Sequence, residues 1–149
     1  MSAPLVRRER RAARILVLDA EGRALLFRYT PPGRDPFWIL PGGECDPGED
    51  YPAAAFRELA EETGFSGPID AIGMVLKADY EYFGEPVHAV EHYFLHRAAE
   101  AVICTAGHTA LEQQVMQDHR WFAHHEIAQW PETLYPDCLA ALIRAHQPG

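Results

Sequence analysis

The stretch Gly43–Phe65, GECDPGEDYPAAAFRELAEETGF, decides how the rest of this 149-residue chain is read. Its second half carries helix signals at both ends: Asp50 as N-cap, Pro52 in the first turn, and Gly64 just past the last turn. Successive helical side chains rotate by roughly 100°, so the spacing predicts a packed face of Phe56, Leu59, Ala60 and Thr63. Glu58, Glu61 and Glu62, at i, i+3 and i+4, then gather their carboxylates on the opposite face. Like charges so placed repel, by a few tenths of a kcal/mol per exposed pair and by more where water is partly excluded. Arg57 can reach Glu61, but one guanidinium cannot neutralise three carboxylates, and hard divalent cations prefer oxygen ligands. An acidic helical stripe on its own reads as a solvated surface. Here Pro41-Gly42-Gly43 and Gly48 lie just upstream, where glycine permits tight turns that would fold the preceding loop over the helix.

Working outward, Ile15–Leu18 and Ala24–Phe27 read as a hairpin about the turn residues Asp19 to Gly22. The segment 29–36 holds Pro31, Pro32, Gly33 and Pro36 and reads as a loop, followed by a short strand over 37–40 that ends in a glycine turn. β-branched and aromatic residues predict strands over 69–77 and 87–96, joined by a loop over 78–86. A short strand over 119–122, a helical turn near Glu126 and a closing helix over 136–145 complete the pass, with no internal repeat. Arg7, Arg8, Arg10, Arg11 and Arg14 form the one basic cluster, which reads as a solvated terminus in preference to a ligand for phosphates.

Position by position, Gly43–Phe65 fits G-x5-E-x7-R-E-U-x-E-E-x-G-U, where U is a bulky apolar residue. This pattern resembles the signature of the Nudix hydrolases, and every specified position is met. The approach Trp38-Ile39-Leu40-Pro41-Gly42 resembles the family as well. The resemblance implies an α+β fold, a mixed sheet sandwiched between helices, and divalent-metal-dependent hydrolysis of a diphosphate bond in a nucleoside diphosphate linked to another moiety. It implies that Glu58, Glu61 and Glu62 ligate Mg²⁺ or Mn²⁺, that one of them orients or deprotonates the attacking water, and that Gly43 offers its carbonyl oxygen to a metal. Arg57 and Glu49 would form the ion pair that braces loop against helix beside the catalytic glutamates. Glu112, ahead of His119-Arg120-Trp121-Phe122, is by the same resemblance a candidate further acidic ligand, its plain reading being a solvated loop carboxylate. The chemistry is coherent, because an anionic diphosphate repels a nucleophile until cations neutralise its oxygens.

Substrate contacts are expected from Arg28 and Lys77, the one lysine, toward phosphates, and from the aromatic residues Trp38 and Tyr82. His88, His92 and His96 share a strand face but span about 27 Å, too far for one tetrahedral zinc site. The formal charge of −9, from 22 acidic and 13 basic side chains, argues against broad binding to nucleic acid. Cys45, Cys104 and Cys138 form no internal framework, and no run has the length of a signal peptide core or a membrane span. The expectation is one domain over 1–149, cytoplasmic, acting on a small-molecule nucleotide, with a second copy of the chain as a candidate partner. A nucleoside triphosphate leads as substrate. ADP-ribose or another sugar nucleotide, a dinucleoside polyphosphate, and a noncatalytic nucleotide sensor are the alternatives, and an isoprenyl diphosphate isomerase would want a cysteine context absent here.

Overall fold

A computed structural model describes residues 5–116 and 118–148. Strands β1 (Arg8–Leu18) and β2 (Ala24–Tyr29) form the expected hairpin, with Leu18 opposite Ala24. Asp19 makes its turn by accepting the backbone N–H groups of Glu21 and Arg23 at 3.0 and 2.9 Å, the local bonding for which Asp is favoured in turns. β1 begins well before Ile15, because its whole length pairs in parallel with β6 (Glu85–Arg97), from Arg8 opposite Val87 to Leu18 opposite Arg97. Four of the five clustered arginines, Arg8, Arg10, Arg11 and Arg14, therefore lie in a strand, and Arg10 and Arg14 are only 4% and 7% exposed.

After its pair with Ala24, β1 parts from β2, and the vacated edge is taken by β4 (Gly42–Glu44), with Ala13 opposite Gly43. The expected glycine turn after Leu40 is thus a short strand laid against β1. Gly42 makes the approach possible: its φ is +146°, and a Cβ there would run into the Ala13 carbonyl oxygen. β2 pairs instead with β3 (Phe37–Ile39) and β7 (Asp118–Phe122), and β3 pairs in parallel with β8 (Thr133–Tyr135). One mixed sheet results, in the order β5-β6-β1-β2-β3-β8, with β4 and β7 branching from β1 and β2. Strand β5 (Asp70–Tyr82) and β6 meet in a tight turn at Phe83 and Gly84, both at positive φ, where the sequence suggested a longer loop. Pro86 lies within β6, opposite Glu81.

Helix α1 (Tyr51–Thr63) starts and ends where its caps predict. The Asp50 side chain accepts the Ala53 N–H at 2.8 Å, and Gly64 takes the left-handed conformation that ends the helix. Its packed stripe differs from expectation. Ala54, Ala55, Glu58, Leu59, Glu62 and Thr63 are buried, whereas Phe56 is 50% exposed and Ala60 faces solvent. The stripe advances by three to four residues, as a packed helix face must, but it includes two carboxylates. α1 covers one face of the sheet through Ala55 and Leu59 against Ile15, Val17, Leu25 and Phe27. The other face is covered by helix α3 (Leu139–Ala145), whose Leu139 and Ile143 meet Leu16, Leu26, Trp38 and Phe122. Helices therefore sandwich a mixed sheet, the layered α+β arrangement expected. A short helix α2 (Ala110–Val115) precedes β7. Among the described residues no helix is long and apolar enough to cross a membrane.

The packed stripe of α1 sets the outcome of two truncations. Leu59→Ala removes a fully buried side chain and is expected to destabilise by about 2–5 kcal/mol in urea unfolding. Phe56→Ala, on the exposed side, is expected to cost less than about 1 kcal/mol.

Candidate functional site

Where β1 and β2 diverge, a cleft of about 260 Å³ opens between the sheet and α1. Its walls come from β1 (Arg10, Arg14), from β4 and from α1 (Arg57, Glu58, Glu61). Glu112 of α2 and Tyr82 at the end of β5 also line it.

One helical turn separates Glu58 from Glu62, so their side chains stand on one flank of α1. Carboxylate oxygens of Glu58, Glu62 and Glu112 lie within 4.8 Å of one another, and the first two are only 7% and 1% exposed. Burial raises the Glu58 carboxyl to about 7, with Glu61 and Glu112 adding to the rise and Arg57 opposing it. Glu62 is pushed well above the usual carboxylate range, by burial first and by Glu58 next, against the pull of the Gly42 N–H that it accepts at 2.8 Å. Gly43 lies so close that a Cβ there would come within 2.6 Å of the Glu58 carboxylate.

Arg57 organises this flank. It donates to both oxygens of Glu49 at 2.9 and 2.8 Å, to Glu58 at 2.9 Å, to Glu61 at 3.1 Å and to the Glu44 carbonyl at 3.0 Å. Arg57 and the Asp46 backbone N–H together hold the Glu49 carboxyl down to about 2. The loop and the helix are thus joined through one planar guanidinium, whose several donors suit it to such branching contacts. The sequence placed Glu61 in the carboxylate cluster. In the structure it lines the cleft and pairs with Arg57, while Glu112 completes the tight trio. Glu112 is held by a capping box: it accepts the Thr109 N–H at 2.9 Å, and the Thr109 hydroxyl accepts the Glu112 N–H at 3.2 Å. The spacing Thr109-x-x-Glu112 was the signal that could have shown α2 and the anchored carboxylate in advance.

The remaining expected contacts are placed differently. Arg28 pairs with both oxygens of Glu132 at 2.9 and 2.7 Å, and the Trp38 indole donates to the same carboxylate at 2.8 Å. Trp38 is 5% exposed and packs edge-on against Phe122 and Trp130. These two residues therefore brace β2 and β3 against the start of β8, and neither lines the cleft. Lys77 is exposed on β5 and is likewise absent from the cleft wall, while Tyr82 is part of it. His88, His92 and His96 have separate partners: Asp79, the Tyr51 ring and the Pro68 carbonyl. Arg10 and Arg14, expected in a solvated terminus, line the cleft. Their parity along β1 could have signalled one shared face.

What the arrangement suits is a hard divalent cation. Three carboxylates share one small space, two of them buried, and their repulsion is relieved only in part by Arg57 and the Gly42 N–H. An all-oxygen donor set of this charge matches Mg²⁺ or Mn²⁺ better than zinc or copper.

A family model described as the NUDIX domain matches residues 8–142. An RNA pyrophosphohydrolase from Sphingopyxis alaskensis is 30% identical over 101 residues, covering 59% of this chain and 62% of that protein. The chain spans between 30% and 62% of the lengths of the curated relatives it matches. The dihydroneopterin triphosphate pyrophosphohydrolase of E. coli superposes with a TM-score of 0.69 at 16% identity, covering 96% of this chain and 98% of that one. A MutT protein from Methanosarcina mazei Go1 gives a TM-score of 0.62 at 22% identity, with 95% of each chain covered. At these identities the solved structures speak for the fold.

The Arg28–Glu132–Trp38 brace carries its own pH signature. Arg28 first and Trp38 next hold the Glu132 carboxyl down to about 2, so its contribution to stability is complete above the ordinary carboxylate range and fades as pH falls toward 2. Thermal melts of the protein and of Glu132→Gln are expected to differ by a constant margin between about pH 7 and 5, the variant melting lower. That margin is expected to shrink below about pH 4.5.

Proposed function

The chain belongs to the NUDIX family, and from that membership we propose that it hydrolyses a diphosphate bond in a nucleoside diphosphate derivative, with a nucleoside triphosphate as the leading substrate class. The observation that carries this reading is the trio Glu58, Glu62 and Glu112, gathered within 4.8 Å beside a cleft that Glu58 and Glu112 line. Hydrolases of this family work with divalent cations, and Glu58, Glu62 and Glu112 are the residues to hold them, with Glu61 and the Gly43 carbonyl alongside. When bound, such a cation neutralises diphosphate oxygens and lowers the pKa of coordinated water.

The chain's own groups do the rest. The Gly42 N–H fixes one oxygen of Glu62, and Arg57 fixes one oxygen of Glu58, so the carboxylates are aimed before substrate arrives. Water adds to phosphorus in line with the bridging oxygen, its proton passes to a carboxylate of the cluster, and the bridging P–O bond breaks. Arg57 and Glu49 act as positioning residues. Residues 1–149 are proposed to work as one domain, and the free thiols of Cys45, Cys104 and Cys138 suit a reducing compartment such as the cytoplasm. The name of the Sphingopyxis relative, a pyrophosphohydrolase, supports the same class of bond.

The test is formation of nucleotide products, resolved by ion-exchange chromatography, from nucleoside triphosphates, ADP-ribose and a dinucleoside polyphosphate with Mg²⁺ or Mn²⁺. Glu62→Gln keeps an acceptor for the Gly42 N–H and is expected to lower kcat at least a hundredfold, and EDTA to abolish turnover. Mg²⁺ is expected to raise the melting temperature of the parent protein and to raise that of Glu62→Gln much less. Turnover unchanged in Glu62→Gln would overturn the assignment.

A further inference from the structure

Arg10 is a buried cation whose donors are mostly unused. Its side chain is 5% exposed, yet among the described residues only Nη1 makes a hydrogen bond, to the Tyr80 hydroxyl at 3.2 Å. Its Nε is buried and has no hydrogen-bond partner. Glu44 Oε1 lies 3.3 Å from that nitrogen but out of line for a bond. The same carboxylate is already held by Arg8 through both oxygens, at 2.7 and 3.3 Å. The other two arginines of the cleft are spoken for: Arg14 by Glu91 and the Leu40 carbonyl, and Arg57 by Glu49, Glu58 and Glu61. A buried guanidinium with unfilled donors is costly, and an anionic oxygen is the partner that satisfies both its charge and its N–H groups.

We propose that Arg10, backed by Tyr82, is a seat for a phosphate group of the substrate other than the one attacked by water. This deepens, and rests on, the diphosphate-bond reading above. The Tyr82 ring covers the face of the guanidinium at 4.2 Å, so the group offers an edge of N–H donors in place of a surface for base stacking. An edge of donors fits phosphate oxygens. The cleft lining fixes where the seat lies: Arg10 and Tyr82 line the same cleft as Gly43, Glu58 and Glu112. The seat is therefore beside the carboxylate trio and within the same cleft. A substrate with a chain of phosphates can span the two, which makes Arg10 a specificity residue for polyphosphate length.

The probe is inorganic tripolyphosphate with Mg²⁺, titrated calorimetrically into the parent protein, Arg10→Gln and Arg10→Lys. Arg10→Gln is expected to weaken binding at least tenfold and Arg10→Lys to recover part of it; equal affinity in parent and Arg10→Gln overturns the proposal. Steady-state kinetics with a nucleoside triphosphate are expected to show KM raised tenfold or more in Arg10→Gln, with kcat within threefold. A KM unmoved despite weaker tripolyphosphate binding also overturns it, since the seat would then not serve substrate. If circular dichroism shows Arg10→Gln unfolded, Tyr82→Leu, at a half-buried position, takes its place with an expected weakening of at least threefold, and unchanged affinity there counts against the proposal. Failure of the parent to hydrolyse any diphosphate would sink the catalytic reading and leave the binding result standing, so the two failures are distinguishable.

Discussion

Bringing Glu58 and Glu62 together out of water is the expensive act around which this molecule is arranged. An isolated buried carboxylate is so unfavourable that it raises its own pKa, and two of them one turn apart make matters worse. Much of the local structure reads as partial relief of that cost. Gly42 turns its N–H to Glu62, and Arg57 lies across Glu49, Glu58 and Glu61. The deliberate shortfall in that relief gives the site an appetite for cations.

Sheet topology decides where this happens. Because β1 stays with β2 for one residue pair and is then claimed by β4, the backbone of Gly42–Glu44 is carried across the end of the sheet and onto α1. Any side chain at residue 42 would strike the β1 backbone, so glycine there is a packing requirement, whereas one at residue 43 would push the Glu58 carboxylate from its place. The parallel partnership of β1 with β6 brings Arg10 and Arg14 into the same cleft from the opposite wall.

What could be read in advance was local. Asp50, Pro52 and Gly64 mark the ends of α1 through contacts within a few residues of themselves, and the glutamate spacing follows from helix geometry alone. The hairpin of β1 and β2 was visible for the same reason. What stayed hidden depends on distant partners. Phe56 faces solvent because the stripe that packs on the sheet runs through Ala55, Leu59 and Glu62, and Glu62 is held within it by the Gly42 N–H from twenty residues earlier. Arg28 and Trp38 share a partner, Glu132, that lies about a hundred residues on and that nothing near either of them announces. The arginine-rich start has no apolar alternation to announce a strand. It is one because residues 87–97 supply the pairing.

The trio also joins two kinds of support. Glu58 and Glu62 are locked in mutual distance by one rigid helix, whereas Glu112 rides on a six-residue helix whose own capping box orients it. The segment before that helix is itself seated on α1: the Cys104 N–H donates to the Thr63 carbonyl at 2.8 Å, the buried His108 ring bonds the Glu62 carbonyl at 2.8 Å, and a Cβ at Gly107 would strike the Glu61 backbone. The end of α1 thus serves as the template on which the third carboxylate is mounted, so that a shift of the helix carries all three acidic groups with it.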